Sequence, residues 1–189
     1  MDVLLTSLLS TMLAEMGDRT QILVAVLAIR FGNNRAVIWG LIAATIVNCA
    51  ISAFGGSMID QWISSDAVTM FIGLSYFLAG IGMLLWRRPV DQLSDWKIGP
   101  FWTAFAGIAI LQFGDKSQFI IAGQAARTVF WPYAAIGGAL GIIAACIPAI
   151  LLRERLAAIL PMHAIRRGAG IVFVAIGLVL AMRAKGLMG

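Results

Sequence analysis

The chain has 189 residues, 61% hydrophobic and only 12% charged, with a mean hydropathy of +0.93. A soluble domain carries roughly 25% charged residues, so a soluble catalytic or nucleic-acid-binding domain is excluded and the net charge of +5 is not a nucleic-acid signal. The composition predicts an all-α integral membrane protein.

Apolar stretches long enough to span a bilayer, about 20 residues each, run over 3–30, 36–59, 67–86, 101–126, 132–152 and 168–185. Six transmembrane helices are predicted. The first begins Met1-Asp2-Val3, without a basic n-region, and continues through the polar string Glu15-Met16-Gly17-Asp18-Arg19-Thr20-Gln21. It is therefore read as a retained span and not as a signal peptide. As one helix it would be about 42 Å long, more than a ~30 Å hydrocarbon core requires. Tilt or a break at Gly17 would absorb the excess, and the sequence leaves both open.

The second span carries Thr45, Asn48 and Cys49. Its two polar side chains suit interhelical hydrogen bonds or a pathway lining. Gly73, Gly80 and Gly82 in the third span suit close helix packing, with Ser75 and Tyr76 as its polar members. A loop near Arg87–Trp96, containing Pro89, follows. The fourth span contains Gln112-Phe113-Gly114-Asp115-Lys116-Ser117-Gln118, with the same choice of tilt or break at Gly114. Pro148 is expected to kink the fifth. The sixth, with Gly170 and Gly177, follows a loop holding His163, Arg166 and Arg167.

Charge sets the orientation. The loops after spans 1, 3 and 5 hold Arg30, Arg35, Arg87, Arg88, Lys97, Arg153, Arg155, Arg166 and Arg167. The other side holds Arg127, Arg183 and Lys185, with Asp60 and Asp66. By the positive-inside rule both termini are non-cytoplasmic. Trp39, Trp62, Trp86, Trp96, Trp102 and Trp131 fall near span ends or in loops, as an aromatic belt would place them.

The two polar strings align at a shift of 97 residues. Gly17, Asp18 and Gln21 fall on Gly114, Asp115 and Gln118; Ala25, Ala28 and Arg30 on Ala122, Ala125 and Arg127; Cys49 on Cys146; Gly73 and Gly80 on Gly170 and Gly177. Three spans per unit, an odd number, imply two inverted repeats, 1–93 and 94–189, forming one transport domain. Transporters of that design bind substrate near the midplane, between the repeats.

Each string places ionisable groups at membrane depth, where a charge costs at least about 2.5–3.5 kcal/mol and is expected to face a cavity or a partner. On a helix, Glu15 and Asp18 would share a face, with Gln21 and Gln118 one turn beyond each Asp. Facing strings would gather carboxylates, amides and hydroxyls into an oxygen-rich cavity suited to hard divalent cations. Cys49 and Cys146 read as small buried side chains and His163 as a loop residue, which argues against a thiol or imidazole metal site. A purely structural alternative pairs Glu15 with Arg19 and Asp18 with Lys116, but buried pairs are weak stabilisers. An enzyme is not expected: no His-Glu-x-x-His motif is present, and His163 is unsuited to a serine-protease triad.

The duplicated string resembles the Glu-x-Gly-Asp-Lys/Arg-Thr/Ser signature of a cation-transporter family that includes MneA-type bacterial manganese exporters and the Golgi manganese/calcium transporters, within the LysE superfamily. The resemblance covers the whole chain. It implies export of a divalent cation, Mn²⁺ first and Ca²⁺ second, in exchange for H⁺ or Na⁺, from a bacterial inner membrane. The cation is the substrate; no cofactor is implied. The resemblance makes Glu15, Asp18 and Asp115 the ion ligands, with Gln112 at a fourth ligand position, and Thr20 and Ser117 supporting oxygens. Gln21, Gln118 and Asn48 would support the pathway, while Arg19 and Lys116 balance or gate charge. Gln112 departs from the pattern, which has Glu there. The two strings then sum to −1 (three acids, two bases) in place of −2, and weaker divalent binding or an altered counter-ion stoichiometry is expected. Two alternatives stay open: export of another cationic solute, such as a basic amino acid, which would need a wider, aromatic-lined cavity, and assembly as a homodimer.

Overall fold

The computed structural model describes residues 2–59, 61–85, 89–153 and 161–187. Asp60, Trp86, Arg87, Arg88 and Arg155 lie outside the described residues. The fold is all helical. In chain order the helices are α1 (Asp2–Glu15), α2 (Arg19–Phe31), α3 (Asn34–Ile59), α4 (Ser65–Leu85), α5 (Pro100–Gln112), α6 (Lys116–Ala125), α7 (Pro132–Leu152) and α8 (Met162–Ala184). Among them α3, α4, α7 and α8 are long and apolar enough to cross a membrane, and α5 is a shorter apolar helix.

The stretches 3–30 and 101–126 are each broken in two. Gly17 and Gly114 both have φ of 71°, a left-handed conformation that side chains with a Cβ resist. Each glycine stands between the end of one helix and the start of the next, so a break, and not tilt alone, absorbs the excess length. The sixth span begins earlier than hydropathy indicates. Pro161 precedes the first turn of α8, which puts His163, Arg166 and Arg167 on a helix; their expected place in a loop is corrected. A hydropathy window does not register a helical turn built from polar residues.

Small residues fix the packing. A Cβ at Gly137 or Gly141 of α7 would collide with the α1 backbone at Leu4 and Leu8, and one at Gly40 of α3 would come within 2.7 Å of the Phe101 carbonyl oxygen on α5. Gly40 and Gly137 are equivalent under the 97-residue shift, as are Leu4 and Phe101. The contact between α4 and α8 follows the same rule. A Cβ at Gly73 would lie 3.0 Å from the Gly177 carbonyl oxygen, and one at Gly80 would lie 2.6 Å from that of Gly170. Residue numbers rise along α4 as they fall along α8, so the pair is antiparallel.

Two apolar cores flank the breaks. One is built from α2, α3, α5 and α7 around Leu27, Leu41, Ile108 and Ile150; the other joins α4 and α8 through Ile72, Tyr76 and Phe173 to Ala14 and Ile120. Cys49 and Cys146 are buried free thiols. Large apolar side chains such as Ile46, Ile51, Ile110 and Ile171 are exposed. The linker before α5 is held by Arg30, whose guanidinium donates to the carbonyls of Leu93, Ser94 and Trp96. Helix α7 continues through Pro148.

Candidate cation site at the two helix breaks

Both breaks are built alike. Asp18 and Asp115 stand at the N-cap positions of α2 and α6, yet neither side chain caps its own helix. The Gln21 side-chain oxygen instead accepts from the Gly17 N–H at 2.9 Å, and that of Gln118 accepts from the Gly114 N–H at 3.0 Å. Each glutamine sits at the third position of its helix and reaches back over the break, much as the acidic arm of a capping box does. The two carboxylates are thereby left for the space between the breaks. Glu15 and Asp18 come together across a break and not along one helical face, which corrects the expectation of a continuous-helix face. The C-terminal ends of α1 and α5, which carry partial negative charge, and the N-terminal ends of α2 and α6, which carry partial positive charge, meet here.

The motifs exchange their bases. Lys116 is ion-paired with Asp18, and Arg19 Nη2 lies 3.4 Å from Asp115 Oδ1; the two pairs are equivalent under the 97-residue shift. Lys116 Nζ also lies 3.2 Å from Asp115 Oδ2. The Asp18–Lys116 pair is the one that the purely structural alternative names. Arg19 serves Asp115, so the Glu15–Arg19 pair of a continuous helix is replaced. One more base reaches the site: Arg166 Nη2 is 3.8 Å from Asp18 Oδ1 and 3.3 Å from the Gly82 carbonyl oxygen. Hydropathy alone leaves Arg166 in a loop, and the start of α8 at Met162 brings it in.

Glu15 has no base of its own among the described contacts. It is fully buried; Ser117 donates to its Oε1 at 2.5 Å, and its Oε2 has no hydrogen-bond partner among the described residues. One oxygen each from Glu15, Asp18 and Asp115 lie within 4.8 Å of one another, close enough to hold one metal ion. Gln112 is buried, with its Oε1 3.4 Å from Asn48 Nδ2; Asn48 also donates to the Ala109 carbonyl at 3.1 Å. Asn48 thus joins α3 to the end of α5, whereas Thr45 is buried with no partner for its hydroxyl among the described residues. Thr20, within the first motif, is buried, and Gln21 Nε2 donates to the Ala145 carbonyl at 2.7 Å.

Asp18, Arg19, Asp115, Lys116 and Arg166 line a cavity of about 420 Å³, whose other walls include Phe71, Leu78 and Phe119. Beyond its reach, Tyr76 of α4 shares a hydrogen bond with Ser10 of α1 at 2.6 Å and accepts from Gln124 of α6 at 3.0 Å.

Three carboxylates are thus gathered between two helix breaks, each closed by the same glycine and glutamine. The family described as "Divalent cation/proton antiporter GDT1" matches residues 3–89 and again residues 100–187. The chain belongs to this family. A relative named "Putative manganese exporter", from Vibrio cholerae serotype O1 (strain ATCC 39541 / Classical Ogawa 395 / O395), is 31% identical over 171 residues, covering 88% of this chain and 84% of the relative. No solved structure matches the chain. As a GDT1-family member with four membrane-capable helices, the protein is a multi-pass membrane transporter of divalent cations.

Proposed function

We propose that this transporter exports Mn²⁺ from the cytoplasm in exchange for protons, with Ca²⁺ as a second substrate, through the site at the two breaks. The observation that carries the reading is the set of three carboxylate oxygens within 4.8 Å of one another. Hard divalent cations take oxygen ligands, and the cluster found among the described residues is made of carboxylates. Glu15, Asp18 and Asp115 are the ligands. Ser117 orients Glu15, Gln112 and Asn48 extend the polar wall, and Arg19 and Lys116 hold the carboxylates when no cation does.

The architecture in this reading is six spans in two inverted repeats, 1–93 and 94–189, with α1–α2 and α5–α6 as the broken first and fourth spans. The double family match, the equal φ of Gly17 and Gly114, and the reciprocal pairing of Gly73 with Gly177 and Gly80 with Gly170 all support it. Broken helices that meet at mid-membrane are how such transporters present helix ends to an ion. Both termini lie outside the cytoplasm, in a bacterial inner membrane.

The cavity volume and its Phe71 and Phe119 walls favour a second reading, an organic cation such as a basic amino acid. Proteoliposomes holding the purified protein separate the two. Mn²⁺, Ca²⁺ and lysine uptake are compared with and without a pH gradient, against an Asp18→Asn, Asp115→Asn double variant. Saturable Mn²⁺ movement driven by the gradient and abolished in the variant is expected. Lysine uptake without metal uptake would replace the Mn²⁺ reading with the second one.

A further inference from the structure

Arg166 breaks the symmetry of the site. Arg19 and Lys116 are counterparts at the 97-residue shift, as are Asp18 and Asp115, but the counterpart of Arg166 is Thr69. Thr69 carries no charge, and its hydroxyl donates to the Ser65 carbonyl of its own helix at 2.9 Å. Asp18 therefore faces two bases and the formal account of the site changes: three acids (Glu15, Asp18, Asp115) against three bases (Arg19, Lys116, Arg166), a sum of zero.

The position of Arg166 is built in by its surroundings. A Cβ on Gly17 would come within 3.1 Å of the Met162 carbonyl oxygen and 3.5 Å of the Arg166 Cβ, so the first turn of α8 sits against the first break because residue 17 is glycine. The Arg166 side chain is 14% exposed. Its Nη2 bonds the Gly82 carbonyl at 3.3 Å and lies farther, 3.8 Å, from Asp18. The α4 carbonyl thus holds the guanidinium beside Asp18 and can keep it there when Asp18 turns to another cation. A guanidinium stays charged at every relevant pH, so its claim on Asp18 does not titrate away.

We propose that Arg166 is a tethered competitor for Asp18, a fixed positive charge on α8 that sets the affinity of the site for the transported cation. The proposal rests on the site reading above. A divalent ion entering a site of zero formal charge must push a base from its carboxylate. The loosest contact, Arg166 to Asp18, is the one that yields.

The test is the KM for Mn²⁺ uptake in proteoliposomes by wild type, Arg166→Gln, Arg166→Lys and, as a control for charge on the same helix end, Arg167→Gln, whose position is exposed. Losing the competitor is expected to lower KM about two- to five-fold, the range of a partly screened ion pair. Arg166→Lys, a compact point charge that cannot hold Gly82 and Asp18 together, should fall between Arg166→Gln and wild type, and Arg167→Gln should match wild type. A merely structural arginine would, when replaced, raise KM or lower the rate, not lower KM. An Arg166→Gln KM at or above wild type, with Asp18→Asn inactive, overturns this proposal alone. If Asp18→Asn transports like wild type, the site reading falls and this proposal with it. Should Arg166→Gln not fold, an Arg166→Lys KM equal to that of wild type overturns the proposal.

Discussion

Lys116, on the second motif, is ion-paired with Asp18 on the first. Arg19 returns the exchange to Asp115, and although Lys116 also reaches Asp115 of its own motif, two ion pairs cross between the breaks, so neither break can move without loosening a pair on its neighbour. A local pairing within each motif would leave the breaks independent. The crossed pairing couples them.

Removing Asp18 takes one of its two carboxylate partners from the buried Lys116, which keeps only Asp115 at 3.2 Å. Asp18→Asn is expected to destabilise the protein by about 3 kcal/mol, the cost of breaking a buried pair, and to abolish Mn²⁺ transport. Adding Lys116→Gln should recover much of the stability and none of the transport. Thermal unfolding in detergent, run beside proteoliposome uptake, reads both. Recovery of transport in the double variant would show that Asp18 is no ligand.

The two glycines of the breaks are predicted to differ in their tolerance. Alanine at either must adopt φ of 71°, at a cost of about 1–2 kcal/mol. At Gly114 no neighbour among the described residues lies within 4 Å of the new Cβ, while at Gly17 the Met162 carbonyl oxygen would be 3.1 Å away. Gly17→Ala should therefore lose more activity than Gly114→Ala, because it also forces the first turn of α8 away from the first break. Equal losses in a side-by-side uptake assay would mean that backbone conformation alone matters.

The repeat, the motifs and the glycine contacts were legible in the sequence because each leaves a one-dimensional mark: a fixed offset, a polar string in an apolar run, a small residue every helical turn or two. The break was legible only as one of two options, since Gly17 inside an apolar run is compatible with either until its φ is known. Gln21 and Gln118 read as pathway residues on their spacing, but they close the breaks through backbone N–H groups that only the left-handed glycine turns toward them. Arg166 was hidden by the polar composition of the first α8 turn, and the exchange of bases between motifs is a tertiary fact with no local signal.

Tyr76 makes a polar contact that the other half of the chain lacks. At the 97-residue shift, Tyr76, Ser10 and Gln124 correspond to Phe173, Gly107 and Leu27. Tyr76→Phe leaves the Ser10 hydroxyl and Gln124 Nε2 without this partner in a buried place, at an expected cost of about 1–3 kcal/mol. The triple change Tyr76→Phe, Ser10→Gly, Gln124→Leu, which copies the other half, should cost less than the single change. Denaturation of the purified variants orders the two, and a triple variant less stable than Tyr76→Phe would refute the account.

Gln112 is the position at which a fourth acid tests the charge balance. Its Oε1 already faces Asn48 Nδ2 at 3.4 Å, so a carboxylate there inherits a donor. With three bases against four acids, Gln112→Glu takes the formal sum of the site from 0 to −1. A divalent ion then leaves it at +1 in place of +2, and tighter Mn²⁺ binding is expected, by about five- to ten-fold if the new charge contributes 1–1.4 kcal/mol at a site of intermediate dielectric. A fourth carboxylate also adds a group that can carry a proton, so uptake should depend more steeply on pH than in wild type. Mn²⁺ affinity measured across a pH series on both proteins decides the point. An unchanged affinity and an unchanged pH dependence would place Gln112 outside the binding site, as a partner of Asn48 that only ties α3 to α5.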